Sequence, residues 1–139
     1  MVDASVAIKW VYAEDESDLA AALLIHELCA PDLLTSECAN ILWKMAFRGD
    51  MDIDAAIRRA IALQDVTVTL EPMQSLLPTA VEMAIRLGHP AYDCFYLALA
   101  SSGGCPFATA DMKLIRKLRA ANFRDAEVLT LAEAAALPL

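Results

Sequence analysis

A chain of 139 residues provides one domain's worth of core, burying roughly two thirds of its unfolded surface, and leaves no room for a second full domain. Its 11 Lys and Arg against 19 Asp and Glu leave a net charge of -8, which excludes nucleic-acid binding through a generally basic surface, so contact with a polyanion has to be local or metal-mediated. The 58% hydrophobic share excludes a disordered chain. No apolar run reaches the ~18 residues that span a bilayer, and Met1-Val2-Asp3 lacks the basic and apolar regions of a secretory signal, so a cytoplasmic protein without membrane association is expected.

In chain order, Met1-Val2 can form only a very short first strand, and Ser5 to Trp10 reads as a helical turn. The acidic run Glu14-Asp15-Glu16-Ser17-Asp18 opens a helix expected over 16–28, because carboxylates favour the positive end of the helix dipole; it reads as a solvated helix start rather than a metal site. Apolar residues recurring every three or four positions predict further helices over 33–48, 53–65, 73–87, 92–101, 111–121 and a short one over 131–136. Strand signals are brief, at 28–30, 66–70, 106–109 and 127–130. Short strands alternating with 10–15-residue helices require crossover connections, hence a three-layer α/β/α sandwich around a short, mainly parallel sheet in a single domain over 1–139. The four cysteines, Cys29, Cys38, Cys94 and Cys105, form no Cys-x-x-Cys pair and read as small reduced core residues.

Ligands of open parallel sheets bind outside the carboxyl ends of the strands, which directs attention to the acids placed there. Asp3 follows the first strand with Ser5 beside it, and Asp111 closes the strand ending at Thr109. Glu37 borders the apolar stripe Leu34, Cys38, Ile41 and Met45, with Asn40 one turn and Lys44 two turns further on. Asp93 lies in a nearly uncharged helix, where a charge needs a partner. Each also has a plain structural reading: Asp3, Asp111 and Asp93 as helix caps and Glu37 as a surface partner of Lys44. Capping does not explain why all four fall beside the same sheet edge. His26 and His89 offer no convincing base, one in an amphipathic helix and the other in a turn before Pro90.

Four blocks carry a family resemblance: Val2-Asp3-Ala4-Ser5-Val6-Ala7-Ile8-Lys9-Trp10, Pro31-x-Leu33-x-x-x-Glu37-x-x-Asn40, Tyr92-Asp93-x-x-Tyr96-x-Ala98-Leu99-Ala100 and Ala108-Thr109-Ala110-Asp111. In this order and spacing they resemble the signature blocks of PIN-domain ribonucleases, most nearly the VapC-type toxins of toxin–antitoxin pairs, over essentially the whole chain. One departure is that members usually carry several more apolar residues before the first Asp, where only Met1 and Val2 stand here. The resemblance implies a catalytic, metal-binding set of Asp3, Glu37, Asp93 and Asp111, with Asp3 and Asp93 as principal ligands. It also implies an RNA substrate, a cognate antitoxin and a homodimer. Ser5, Asn40 and Thr109 are candidates to orient the carboxylates, and they serve equally well as simple helix caps.

A set of carboxylates without His or Cys suits a hard cation, Mg²⁺ or Mn²⁺. Two ionised carboxylates ~5 Å apart repel by about 3 kcal/mol at an effective dielectric of ~20, so four gathered together need a counterion or a proton. The expected chemistry is metal-assisted phosphodiester hydrolysis leaving a 5′-phosphate and a 3′-hydroxyl. Phosphates can be met locally by Lys9, Lys44, Lys113 and Arg116, or these can be plain solvated positions. Two other classes compete. A phospho-receiver domain wants adjacent acids after the first strand, where Ala4 and Ser5 stand, and a catalytically silent PIN-like module would bind a partner only.

Overall fold

The computed structural model describes residues 1–138. Its elements are helices α1 (Ala4–Ala7) and α2 (Ser17–Ala22), strand β1 (Cys29–Pro31), helices α3 (Leu33–Phe47) and α4 (Ile53–Gln64), strand β2 (Thr69–Glu71), helices α5 (Leu77–Leu87) and α6 (Ala91–Gly103), strand β3 (Phe107–Ala108), helix α7 (Met112–Ala120), strand β4 (Val128–Leu129) and helix α8 (Leu131–Ala135). This is the helix-rich α/β/α arrangement with a short parallel sheet that the alternation of elements predicts.

β1 pairs in parallel with β2, from Cys29 opposite Thr69 to Pro31 opposite Glu71, and β3 pairs in parallel with β4. Met1-Val2 stitches the two pairs together. The Val2 N–H donates to the Cys29 carbonyl at 3.1 Å, while the Ala108 N–H donates to the Met1 carbonyl at 2.9 Å in a parallel bridge. The strand order is therefore β2, β1, Val2, β3, β4.

The period of two along these strands divides the core. Phe107, Ala30 and Met1 belong to the larger cluster, with Leu34 and Cys38 of α3, Met83 of α5, Tyr96 and Leu97 of α6 and Leu114 of α7. Val2 and Ala108 belong to the smaller one, with Val6 of α1, Ala20 of α2 and Leu131 and Ala134 of α8. All carboxyl strand ends emerge on one edge, where Asp3, Asp32 and Thr109 follow directly.

Several boundaries differ from the pattern-based ones. The helix expected over 16–28 stops at Ala22 and tightens into a 3₁₀ turn, Leu23–Ile25, because only Ala20 and Leu23 find a core to bury in and the chain must turn to deliver Leu28 and β1. The helix expected over 73–87 is a 3₁₀ turn, Met73–Leu76, followed by α5, since Pro78 has no N–H to donate and is accommodated only in a first turn. The strand expected over 66–70 begins at Thr69. Val66 still donates to Leu63 from the end of α4, and pairing starts where the Thr69 N–H meets the Leu28 carbonyl at 2.8 Å.

Candidate active site

Asp3 is the centre of the carboxyl edge. It is 8% exposed, and both of its oxygens are engaged: Oδ1 accepts from Ser5 Oγ at 2.5 Å and from the Val6 N–H at 3.2 Å, and Oδ2 accepts from Thr109 Oγ1 at 2.5 Å. The Val6 bond is the helix-capping role expected of an Asp at this junction, here combined with a second one. Burial raises its pKa to about 6 against the opposing pull of these hydrogen bonds, and the charge of Asp93 adds to the rise. Thr109, fully buried, accepts in turn from the Asp111 N–H at 3.0 Å, and Ser5 Oγ accepts from the Ala110 N–H at 3.0 Å. Ser5 and Thr109 thus orient Asp3 and tie the chain start to the loop after β3.

Glu37 faces this centre from α3. Its pKa is raised by burial and by the charge of Asp93, and lowered in part by the Tyr96 hydroxyl, which donates to Oε2 at 2.5 Å. Tyr96 is itself buried and stacks on Phe107 with ring centroids 5.6 Å apart, so the core fixes the hydroxyl that holds Glu37. Asp93, in the first turn of α6, bonds through Oδ2 to His89 Nε2 at 2.5 Å. Since the Asp93 charge acts on both Asp3 and Glu37, these three carboxylates share one neighbourhood.

The other candidates stand apart from that trio. The side chain of Asp111 turns onto its own helix, capping α7 at the Lys113 and Leu114 N–H groups, and it reaches the network only through its backbone N–H on Thr109. Asn40 is exposed on α3 and makes no side-chain hydrogen bond among the described residues. Lys9 is committed elsewhere, to Glu14 at 3.1 Å and to the Asp15 carbonyl at 2.7 Å. Lys44, Lys113 and Arg116 are exposed and enter no ion pair among the described residues. Tyr96 and His89 are the contributors that sequence reasoning missed. His89 was readable as a residue one helical turn before Asp93, whereas the Tyr96 partnership with Glu37 joins two helices 59 positions apart and had no local signal.

The donor set fits a hard oxygen-seeking cation better than a soft one. The nearby thiols are kept neutral: burial, with the charges of Glu37 and Asp3, pushes Cys38 up to about 12, and burial raises Cys94 also. Among the described residues no three His, Cys, Asp or Glu side chains gather closely enough to hold an ion, and Asp3, Glu37 and Asp93 each have a protein hydrogen-bond partner.

A buried Asp3 with the half-buried Glu37 and Asp93 beside it, at the carboxyl edge of a short parallel sheet, defines a small acidic-site α/β domain, and comparison with known proteins gives the class its name. Residues 1–120 match the PIN domain family model, and the chain belongs to that family. Among its relatives, Ribonuclease VapC3 of Pyrobaculum aerophilum is 33% identical over 124 residues, which cover 86% of this chain and 95% of that protein. Exonuclease VapC9 of the same organism is 34% identical over 112 residues, covering 79% of this chain and 80% of that protein. The crystal structure of PAE2754, again from Pyrobaculum aerophilum, superposes with a TM-score of 0.65 at 26% identity, covering 98% of this chain and 94% of that one.

Proposed function

We propose that this chain is a metal-dependent endoribonuclease acting in the cytoplasm as the toxin of a toxin–antitoxin pair. The observation that carries the reading is the buried Asp3 carboxylate, held at a raised pKa beside Asp93 and Glu37 at the carboxyl ends of the strands. A fold gains nothing in stability from gathering carboxylates it cannot comfortably ionise, so such a cluster is a mark of function. Asp3 and Asp93 are the principal ligands in this reading, with Glu37 and Asp111 completing the set. Mg²⁺ or Mn²⁺ bound there supplies Lewis-acid polarisation of the scissile phosphate and an activated water.

The chain's own residues do the rest. Ser5 and Thr109 fix the Asp3 rotamer, Tyr96 restrains Glu37, and the exposed Lys44, Lys113 and Arg116 offer contacts to RNA phosphates at the rim. The protein partners we assign, an antitoxin and a second copy of the chain, are supported by large apolar side chains left exposed. These lie on α3, where Trp43 stacks on Phe47, on α4, at Ile57 and Ile61, and on α5, at Leu77, Val81 and Ile85. Leu24 is exposed too.

The test is incubation of RNA with wild-type protein and with Asp93→Asn, each with Mn²⁺, with Mg²⁺ or with EDTA, followed by mapping of the new ends. Internal cuts bearing 5′-phosphates that require the cation and disappear in the variant are expected. Equal cleavage by both proteins defeats the assignment. Shortening from one terminus makes the enzyme an exonuclease, and a wild type without any cleavage makes it a silent binding module.

A further inference from the structure

We propose that His89 is a positioning residue of this site, holding one oxygen of Asp93 so that the other is presented in a fixed orientation. The role rests on Asp93 being a metal ligand, as proposed above.

Asp93 is the third residue of α6, the place from which an acidic side chain ordinarily reaches back to the N–H of the residue capping the helix. Here that residue is Pro90, which has no N–H. The carboxylate is therefore released from its helix and finds its donor one residue earlier, at His89 Nε2, 2.5 Å from Oδ2. No hydrogen bond among the described residues engages Oδ1, unlike the oxygens of Asp3, both of which are occupied.

The backbone under His89 is immobilised on every side. Gly88 ends α5 at φ 58, the left-handed conformation glycine adopts without strain. Its N–H donates to Ile85 at 3.3 Å and the His89 N–H donates to Ala84 at 3.1 Å, the two bonds of a Schellman termination. Pro90 fixes the next φ at -55. From across the molecule, Lys117 Nζ reaches the Gly88 carbonyl at 2.7 Å. Helix α7 consequently braces both principal carboxylates, Asp3 through the Asp111 N–H and Thr109, and Asp93 through Lys117, Gly88 and His89. On this fixed backbone the imidazole, 17% exposed, has Asp93 as its one hydrogen-bond partner among the described residues, an arrangement that orients the carboxylate.

The experiment measures Mn²⁺ binding to chelator-stripped protein by calorimetry, for wild type, His89→Ala, His89→Gln and Asp93→Asn, with metal activation of RNA cleavage in parallel. Loss of an outer partner of a ligand weakens metal binding by roughly 10–100-fold, and this is expected for His89→Ala, with the KM for RNA unchanged. His89→Gln, whose amide can donate from the same reach, restores most of the affinity, which a merely structural role of the ring would not allow. If His89→Ala does not fold, Lys117→Met cuts the strap while keeping the stem, and it is expected to weaken Mn²⁺ several-fold. Wild-type Mn²⁺ affinity in the His89 and Lys117 variants, together with loss in Asp93→Asn, overturns the role of His89 and leaves the site standing. Undiminished Mn²⁺ binding by Asp93→Asn overturns the ligand assignment itself.

Discussion

Replacing Asp3 with Asn tests the physical centre of the site without any substrate. In the folded protein Asp3 titrates at about 6 instead of 3.8, chiefly because burial penalises its charge. The native state therefore holds a proton that the unfolded chain has released, and stability declines as pH rises from about 4 through 6. About two pKa units at 1.36 kcal/mol each amount to about 3 kcal/mol, with no discount for screening at a side chain this buried. Asn is isosteric and uncharged. Its oxygen can keep the Ser5 and Val6 donors, while the Thr109 hydroxyl can turn toward Ser5 Oγ, 3.3 Å away. In EDTA, urea unfolding from pH 4.5 to 8 should show Asp3→Asn gaining about 2 kcal/mol of this on wild type as pH rises, the rest falling below pH 4.5, with the titration of Glu37 common to both and cancelling. Saturating Mn²⁺ should then favour wild type alone, by about 2.7 kcal/mol at a hundredfold excess over Kd. A difference between the two proteins that stays flat across this pH range refutes the argument.

Thr109→Val keeps the volume but strands Asp3 Oδ2 and the Asp111 N–H, and should cost about 2–5 kcal/mol in a thermal melt; a loss below about 0.5 kcal/mol contradicts the network. Tyr96→Phe preserves the stack on Phe107 while removing the donor to Glu37, so the Glu37 pKa should climb further, read by carboxylate NMR. Charge reversal at Lys113 and Arg116 should weaken RNA retention uniformly across sequences and flatten its salt dependence, by about one unit of slope for each phosphate no longer neutralised. An unchanged slope removes these two residues from the interface.

The layering of the fold was legible because helical and strand periodicities alternate, while Asp3, Glu37 and Asp93 were singled out by their places after a strand, beside a helix stripe and in a nearly uncharged helix, and joined into one set only by the resemblance. What the pattern missed was tertiary in origin. The very short first strand at Met1-Val2 was expected, but nothing local showed that it would lie between Cys29 and Ala108 and join the two strand pairs. Asp111 looks equivalent to Asp3 from its place after a strand, yet one oxygen of its side chain, Oδ1, caps α7 while its backbone N–H serves the site through Thr109. Lys9 looks free for phosphate in the sequence, but the loop after α1 folds Glu14 onto it. The Gly-His-Pro sequence around His89 reads as a solvent turn, and only the reach of Lys117 from α7 to the Gly88 carbonyl and the bond to Asp93 convert it into a fixture.

The bond between Asp3 and Thr109 closes a loop of 106 positions. During synthesis the aspartate leaves the ribosome among the earliest residues, but its threonine partner follows only after most of the chain has been made. A nascent or prematurely terminated polypeptide that ends before position 109 therefore carries Asp3, Glu37 and Asp93 without the pocket, and the hazard of a half-built nuclease near the translation machinery is deferred until the final quarter of the chain emerges.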